Sequence, residues 1–314
     1  MNCLVTGATG YIGNSLIQRL CHEDNKVIGL IHKTKPNFLN KNVKYVYGDI
    51  TDKSSFENFI NDVNVIFHCA ALVNDFGKKE EFNKINYEGT KNIVEVCNKN
   101  TIKRFVYLGH IRFESYNRFD FYSLSKYKAE QYLIDKHKKE KFPVVIIRPG
   151  HVYGPGATNW VIRIIKAINN ERIALINSGN GIFHHLYIDN LIDALISAMN
   201  EKKVIGKQIN ITDGDNSINW KTYINDLAKM IDKKPINKNI SKRKALMLSN
   251  IMIIFYFMVK IKPWITPTVV EMLTNQKKIS INNAKILLKY QPRINYSDAM
   301  TRIENWIKEE KVIK

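Results

Sequence analysis

The first thirteen residues constrain the fold more than any other stretch. Asn2 to Thr6 is a β-favouring run that leads directly into Thr6-Gly7-Ala8-Thr9-Gly10-Tyr11-Ile12-Gly13, with glycines three apart, and an amphipathic stretch begins at Tyr11. A strand that becomes a helix within so few residues needs a turn free of Cβ atoms. The helix start then offers N–H groups and the positive end of its dipole to an anion. Strand, glycine turn and helix in this order predict a dinucleotide pyrophosphate site. Gly7, Thr9, Gly10, Tyr11, Ile12 and Gly13 are its candidate contacts.

The alternation continues down the chain. Strand candidates are residues 3–6, 26–31, 43–47, 65–70, 104–108 and 144–148, separated by amphipathic stretches that start near Tyr11, Ser54, Lys79 and Tyr122. Such alternation predicts right-handed βαβ units, and hence an α/β fold built on a doubly wound parallel Rossmann sheet. After Pro149 the helical period dominates at 158–170, 188–200, 219–232, 245–259 and 296–311, and only 208–212 is strongly strand-like. The expected division is a Rossmann NAD(P)-binding domain of residues 1–154 plus 182–212, with a smaller, mostly helical C-terminal substrate lobe of 155–181 plus 213–314. That lobe is placed over the carboxyl ends of the strands.

Composition narrows the function classes. The 314 residues are 45% hydrophobic and carry a formal charge of +19, which raises a nucleic-acid reading. However, only 10 of the 48 cations are Arg, the lysines are spread along the chain, and no nucleic-acid motif accompanies them. Solvated surface charge is the reading, with no nucleic-acid partner. Cys3, Cys21, Cys69 and Cys97 occur singly, without CxxC spacing, and no signal peptide precedes the first strand. A reducing, cytoplasmic setting is expected. His184-His185 is adjacent, without ligand spacing, so no metal site is expected. The apolar run from Ala245 to Val259 lies between Lys242, Arg243, Lys244 and Lys260, Lys262. Its length, roughly 22 Å as a helix, is short of the bilayer core of about 30 Å, so it should not span. It reads as a buried helix of the substrate lobe, as the lining of a greasy pocket, or as a peripheral membrane contact that would make the protein membrane-associated.

The GxxGxxG spacing resembles the extended short-chain dehydrogenase/reductase superfamily, in particular its NAD-dependent epimerase/dehydratase and 3β-hydroxysteroid dehydrogenase-like members. Further motifs in order carry the likeness: Gly48-Asp49-Ile50, Phe67-His68-Cys69-Ala70-Ala71, Asn86-Tyr87-Glu88-Gly89-Thr90, Arg148-Pro149-Gly150-His151-Val152-Tyr153-Gly154-Pro155-Gly156, and Tyr187-Ile188-Asp189-Asn190. The resemblance implies cofactor contacts from Asp49, Ile50, Cys69, Ala70, Ala71, Asn86, Pro149, Gly150 and Val152. It also allows a homodimer through a four-helix bundle.

Tyr122 and Lys126 are the candidate chemical pair. A phenol can exchange a proton with a carbonyl or alcohol oxygen, and a Lys one helical turn on supplies positive charge to pull its pKa toward neutrality. Four YxxxK matches occur, and only Tyr122–Lys126 follows the fifth strand, opens a helix and precedes VVIIRPG. The resemblance implies a Ser/Thr at the end of that strand, but His110 stands there. Three readings stay open: His110 as polar partner, Ser115 or another nearby hydroxyl in its place, or a site that binds dinucleotide without turnover. The second strand ends in Ile31-His32-Lys33-Thr34-Lys35, without an acid for the ribose 2′-OH. NADP is therefore favoured over NAD, with Lys33 and His32 at the 2′-phosphate.

The expected activity is NAD(P)-dependent hydride transfer at a secondary alcohol or ketone of a small molecule. Ala71-Leu72-Val73-Asn74-Asp75-Phe76-Gly77 and Pro263-Trp264-Ile265-Thr266-Pro267 resemble segments of 3β-hydroxysteroid and β-hydroxy-acyl dehydrogenases, which favours a hydrophobic substrate. Val73, Ser115, His151, His185 and Tyr187, with His184, are the candidate substrate residues. A nucleotide-sugar epimerase or dehydratase is the alternative, and Ile111 beside His110 argues against the dehydratase.

Overall fold

The computed structural model describes residues 1–97, 101–111 and 120–310. Its strands are β1 (Asn2–Thr6), β2 (Lys26–Ile31), β3 (Val43–Tyr47), β4 (Val65–His68), β5 (Arg104–Leu108), β6 (Val144–Pro149), β7 (His151–Tyr153), β8 (Leu175–Ile176), β9 (His185–Tyr187), β10 (Gln208–Ile211) and β11 (Asn239–Ile240). Seven form one sheet in the order β3-β2-β1-β4-β5-β6-β10, and the pairs β7–β9 and β8–β11 stand apart. Every pairing in the main sheet is parallel. The doubly wound Rossmann sheet expected from the sequence is present. Its order reverses beside β1, and the crevice at the carboxyl ends of β1 and β4 is where such sheets hold ligands.

Two helix layers cover the sheet. They include α1 (Tyr11–His22), α2 (Lys79–Phe82), α3 (Gly89–Val96), α4 (Phe121–Glu140), α5 (Arg163–Asn169) and α6 (Ile188–Asn200). Successive strand residues point to opposite faces. Cys3, Val5 and Phe67 pack with Leu16 and Leu20 of α1 and Leu191 and Leu195 of α6. On the other face, Leu4, Ile66, Phe105 and Tyr107 pack with Ile93 of α3 and Ala129 and Leu133 of α4. Burial on both faces explains why the strands read as near-continuous apolar runs.

The remaining helices are α7 (Trp220–Met230), α8 (Lys242–Val259), α9 (Pro267–Thr274), α10 (Asn282–Leu288) and α11 (Tyr296–Glu310). The sequence pattern gave no sign of α9 or α10, although Thr266 caps α9 from its side chain and Pro267 occupies its first turn. The stretch after Ser54 is not the expected helix but two short 3₁₀ turns, Lys53–Ser55 and Glu57–Phe59. There the Asp52 carboxylate accepts from Ser54 N and Oγ, and Ser55 Oγ donates to Asp52 O at 2.7 Å, so side chains compete with the helical ladder.

At the β1–α1 turn, Gly7 has φ +66°, a left-handed conformation that disfavours a side chain. A Cβ on Gly13 would lie 2.2 Å from the Gly7 carbonyl oxygen. Gly13→Ala is therefore expected to cost ~1–3 kcal/mol despite the better helix propensity of Ala, read as a lowered urea midpoint. An unchanged midpoint would show that the turn relaxes freely.

Candidate active site

A cavity of about 510 Å³ opens where the sheet order reverses. At one end it is bounded by Gly7, Gly10, Tyr11, Ile12 and Gly13, and beside them by Cys69 and Ala71 after β4. Further along lie His110, Tyr122, Pro149, Gly150, His151 and Val152, and the far wall is formed by Trp160, His184 and the α9 residues Val269 and Met272. Gly10 is the N-cap of α1 with extended backbone, which leaves the helix start directed at the cavity. A Cβ on Gly150 would lie 2.3 Å from His184 O, and one on Gly7 would lie 2.8 Å from Ala70 N. These close approaches form a cradle fit for a dinucleotide, with the phosphates at the α1 N-terminus.

Behind the cavity runs a chain of buried hydrogen bonds. Ala70 N donates to Thr6 Oγ1 at 3.1 Å, and Thr6 Oγ1 lies 2.8 Å from His68 Nδ1. His68 Nε2 lies 3.0 Å from Thr90 Oγ1, which donates to Asn86 O at 2.7 Å. Because the Thr90 hydroxyl proton is used on Asn86, His68 carries its proton on Nε2 and accepts from Thr6 at Nδ1. Burial, reinforced by the charge of Lys126, pushes His68 down to about 3, so the ring is neutral. Asn86 in turn accepts from Leu72 N at 2.7 Å and donates to Ser125 Oγ at 2.9 Å, and Ser125 Oγ donates to Tyr122 O at 2.7 Å. The nucleotide turn and the start of α4 are thus tied together through polar side chains.

On α4, Tyr122, Lys126 and Glu130 recur at four-residue spacing and share a face. The Asp120 carboxylate caps the helix by accepting from Ser123 N at 3.0 Å. Lys126 is buried, with Nζ 4.1 Å from the centre of the Tyr107 ring. Burial pulls its pKa down to about 8, and the Glu130 carboxylate opposes that pull. Burial pushes the Tyr122 phenol above its ordinary range, and Asp120 and Glu130 add to the effect. The sequence suggested a phenol lowered toward neutrality, whereas in the folded site burial prevails and Tyr122 is a protonated phenol. The His110 ring meets the Tyr122 ring edge-on at 5.2 Å between centroids. His110 N donates to Glu130 Oε1 at 3.3 Å, and Glu130 also accepts from Arg148 Nε at 3.0 Å.

Residues 3–212 match the family described as "NAD dependent epimerase/dehydratase family". The chain belongs to this family. Its relatives are enzymes and include both dehydrogenases and epimerases. The human "Sterol-4-alpha-carboxylate 3-dehydrogenase, decarboxylating" is 24% identical over 96% of this chain and 86% of its own length. The Vibrio cholerae "UDP-glucose 4-epimerase" is 25% identical over 73% of this chain and 76% of its own. Among solved structures, the UDP-glucuronic acid 4-epimerase from Bacillus cereus in complex with NAD has a TM-score of 0.74 at 24% identity and covers 99% of each chain, a likeness of fold.

The structure brings most of the sequence-derived residues to one place, but not all. Val73 and His151 border the cavity with the residues named above. Burial and neighbouring histidines push His151 well below its usual range, and its neutral ring stacks on Phe183 at 5.4 Å. Thr9 lies in the glycine turn, and His32 and Lys33 are exposed after β2, where His32 Nε2 is 3.5 Å from Asp49 Oδ2. Ile50 is buried under α3 and would meet any side chain at Gly89. His185 and Tyr187, expected on the substrate side, instead sit behind the wall. His185 Nδ1 is 2.9 Å from Asp213 Oδ2, and Tyr187 N donates to the same carboxylate. His184, just before β9, borders the cavity, whereas His185, the first residue of β9, turns into the core. Ser115 lies outside the described residues. The sequence reading missed Trp160, Asp120, Val269 and Met272. The Thr266-Pro267 cap-and-proline pair was the available signal for the last two.

A bulky side chain at Gly10 is expected to remove dinucleotide affinity while leaving the fold intact, since a Cβ there meets only Gly7 O at 3.2 Å. Calorimetry on Gly10→Leu should show at least about a tenfold loss for both NADH and NADPH. Unchanged affinity would place the phosphates elsewhere.

Proposed function

We propose that the protein is an NAD(P)-dependent oxidoreductase acting on a secondary alcohol or ketone of a hydrophobic, steroid-like or β-hydroxy-acyl substrate, with Tyr122 as the acid/base. The observation that carries this reading is a cavity that joins the glycine turn to Tyr122 and continues along Trp160, Val269 and Met272, with Arg163 and Glu271 as the charged members of that wall. The likeness to the human sterol dehydrogenase, which extends over nearly the whole chain, supports the substrate class. Epimerisation of a nucleotide-sugar is the second reading, supported by the Vibrio cholerae relative. A non-catalytic dinucleotide-binding role, raised by His110 at the end of β5, is the third.

A nicotinamide dinucleotide, when bound, supplies the hydride that such a ketone accepts. The glycine turn and the α1 N-terminus hold its phosphates, and His68, through Thr6 and Asn86, keeps that turn in register with α4. Tyr122, protonated at neutral pH, donates its phenolic proton to the carbonyl oxygen and takes it back from an alcohol in the reverse direction. Lys126, with a pKa near 8, stays largely protonated and stabilises the phenolate left behind. His110, edge-on to Tyr122, is the polar partner for the same oxygen in place of a hydroxyl. NADP is favoured over NAD because the chain after β2 offers His32 and Lys33 to a 2′-phosphate and no acid of its own.

Tyr122→Phe should lower turnover by about 10²–10⁴ with cofactor affinity nearly unchanged, whereas Lys126→Ala should damage both. The assay follows nicotinamide absorbance with steroid and β-hydroxy-acyl substrates and, because epimerisation leaves no net change in the cofactor, chromatographic separation of the epimers with UDP-sugars. Turnover of a UDP-sugar alone would transfer the assignment to the epimerase reading, and a fully active Tyr122→Phe protein would remove the tyrosine from the mechanism. For cofactor choice, NADPH should bind more tightly than NADH, and Lys33→Asp should narrow or reverse the gap. Tighter NADH binding by the unmodified protein would overturn that preference.

A further inference from the structure

After its first, cationic turn helix α8 is largely apolar, with Ser249 on its packed face and Asn250 exposed on its outer face as the polar members, yet only one of its faces is packed. Ala245, Ser249 and Ile253 are buried, and Ala245 shares a small core with Ile265 and Val270. On the opposite face Met247, Ile251, Ile254, Phe255 and Met258 are 49–74% exposed. Their spacing of four, three, one and three residues makes one continuous ridge. Beyond the helix, Ile261 and Trp264 prolong it at 62% and 66% exposure. A contiguous apolar ridge of this kind is uncommon on a protein surface that meets only water.

Charge identifies what covers it. Residues 242–264 contain no Asp or Glu and five cations, which stand at the two ends of the ridge. Lys242 is engaged by Glu271 at 2.7 Å, while Arg243, Lys244 and Lys262 are exposed. Apolar side chains along the middle with cations at the flanks match the acyl and headgroup layers of an anionic bilayer. Among the described residues no helix is long and apolar enough to cross a membrane, and the packed face of α8 holds it against the protein. The geometry therefore points to a helix that lies in the interface plane.

We propose that the outer face of α8, continued to Trp264, docks the protein on the surface of an anionic lipid bilayer and keeps the mouth of the active-site cavity there. The connection to the site is short. Phe76 meets Tyr256 of α8 edge-on at 4.8 Å, and its neighbour Asp75 borders the cavity. Helix α9, which packs against α8, contributes Val269 and Met272 to the cavity wall. Docking stands on the exposed ridge alone. Delivery of an apolar substrate from the lipid rests on the hydrophobic-substrate reading, so binding and turnover are measured separately.

The test is co-sedimentation of the full chain with phosphatidylcholine vesicles containing or lacking an equal part of phosphatidylserine. Binding is expected to the anionic vesicles, to weaken with salt, and to fall by about tenfold or more in Ile254→Asp/Phe255→Asp. The charge variant Arg243→Glu/Lys244→Glu, which leaves the packed face untouched, should lose about tenfold and retain the parent's thermal midpoint. Turnover of a water-soluble substrate without vesicles should be the same in parent and variants, so its loss would bear on the catalytic reading and not on docking. Equal sedimentation with and without phosphatidylserine would overturn the proposal. So would no vesicle binding together with a dimer, seen by light scattering, that the Ile254→Asp/Phe255→Asp variant dissociates.

Discussion

The neutral imidazole of His68 is the piece on which the site depends. It lies at the end of β4, where the sheet order reverses, and its two nitrogens are committed in opposite senses: one accepts from Thr6 at the nucleotide turn, the other donates to Thr90. From Thr90 the chain of bonds reaches Asn86, Ser125 and the backbone of Tyr122. In a buried setting each of these groups would be costly to leave unpaired, so the network fixes one geometry rather than several. A charged His68 would turn Thr6 from donor to acceptor and strip its hydroxyl proton of the partner it now has, and burial keeps that state away at any ordinary pH.

Burial also sets the protonation of the working groups. The same low-dielectric surroundings raise the Tyr122 phenol and lower the Lys126 ammonium, drawing the two pKa values apart from their usual near-coincidence. In the proposed reaction Tyr122 then enters as an acid. Lys126 keeps a charge that Tyr107 receives on its ring face and Glu130 supports. Glu130 has a second task, since it also holds His110 N and Arg148, and so links the end of β5 to α4 and β6.

The family is chemically diverse, and diversity of this kind resides in what is added around a common cradle. Helices α8 and α9 lie beyond the matched residues 3–212. Helix α9 lines the cavity with Thr268, Val269, Glu271 and Met272, and α8 backs it with one apolar face and presents another to the outside. A substrate wall and a surface ridge are thereby parts of one two-helix unit.

Much of this was legible in the sequence because it is local. The glycine turn, all seven main-sheet strands and the pairing of Tyr122 with Lys126 on one helical face follow from short-range periodicity and from the steric need for a missing Cβ. The apolarity and cationic flanks of 245–259 were equally plain in the sequence, but which face of α8 would be packed was not. That depended on where Ile265 and Val270 came to rest. Nor could the sequence tell His184 from His185, because a one-residue change of phase on β9 exchanges cavity for core, and Asp213, 28 residues further on, decides the matter by holding His185. The protonation of Tyr122 was likewise out of reach: spacing shows a nearby cation, whereas the depth of burial that outweighs it is a property of the folded whole. The chain by itself determined the cradle and the spacing of the candidate pair, and tertiary packing decided the dielectric, the far wall and the direction each side chain faces. Backbone period is written residue by residue, while desolvation and contact arise only between segments distant in the chain.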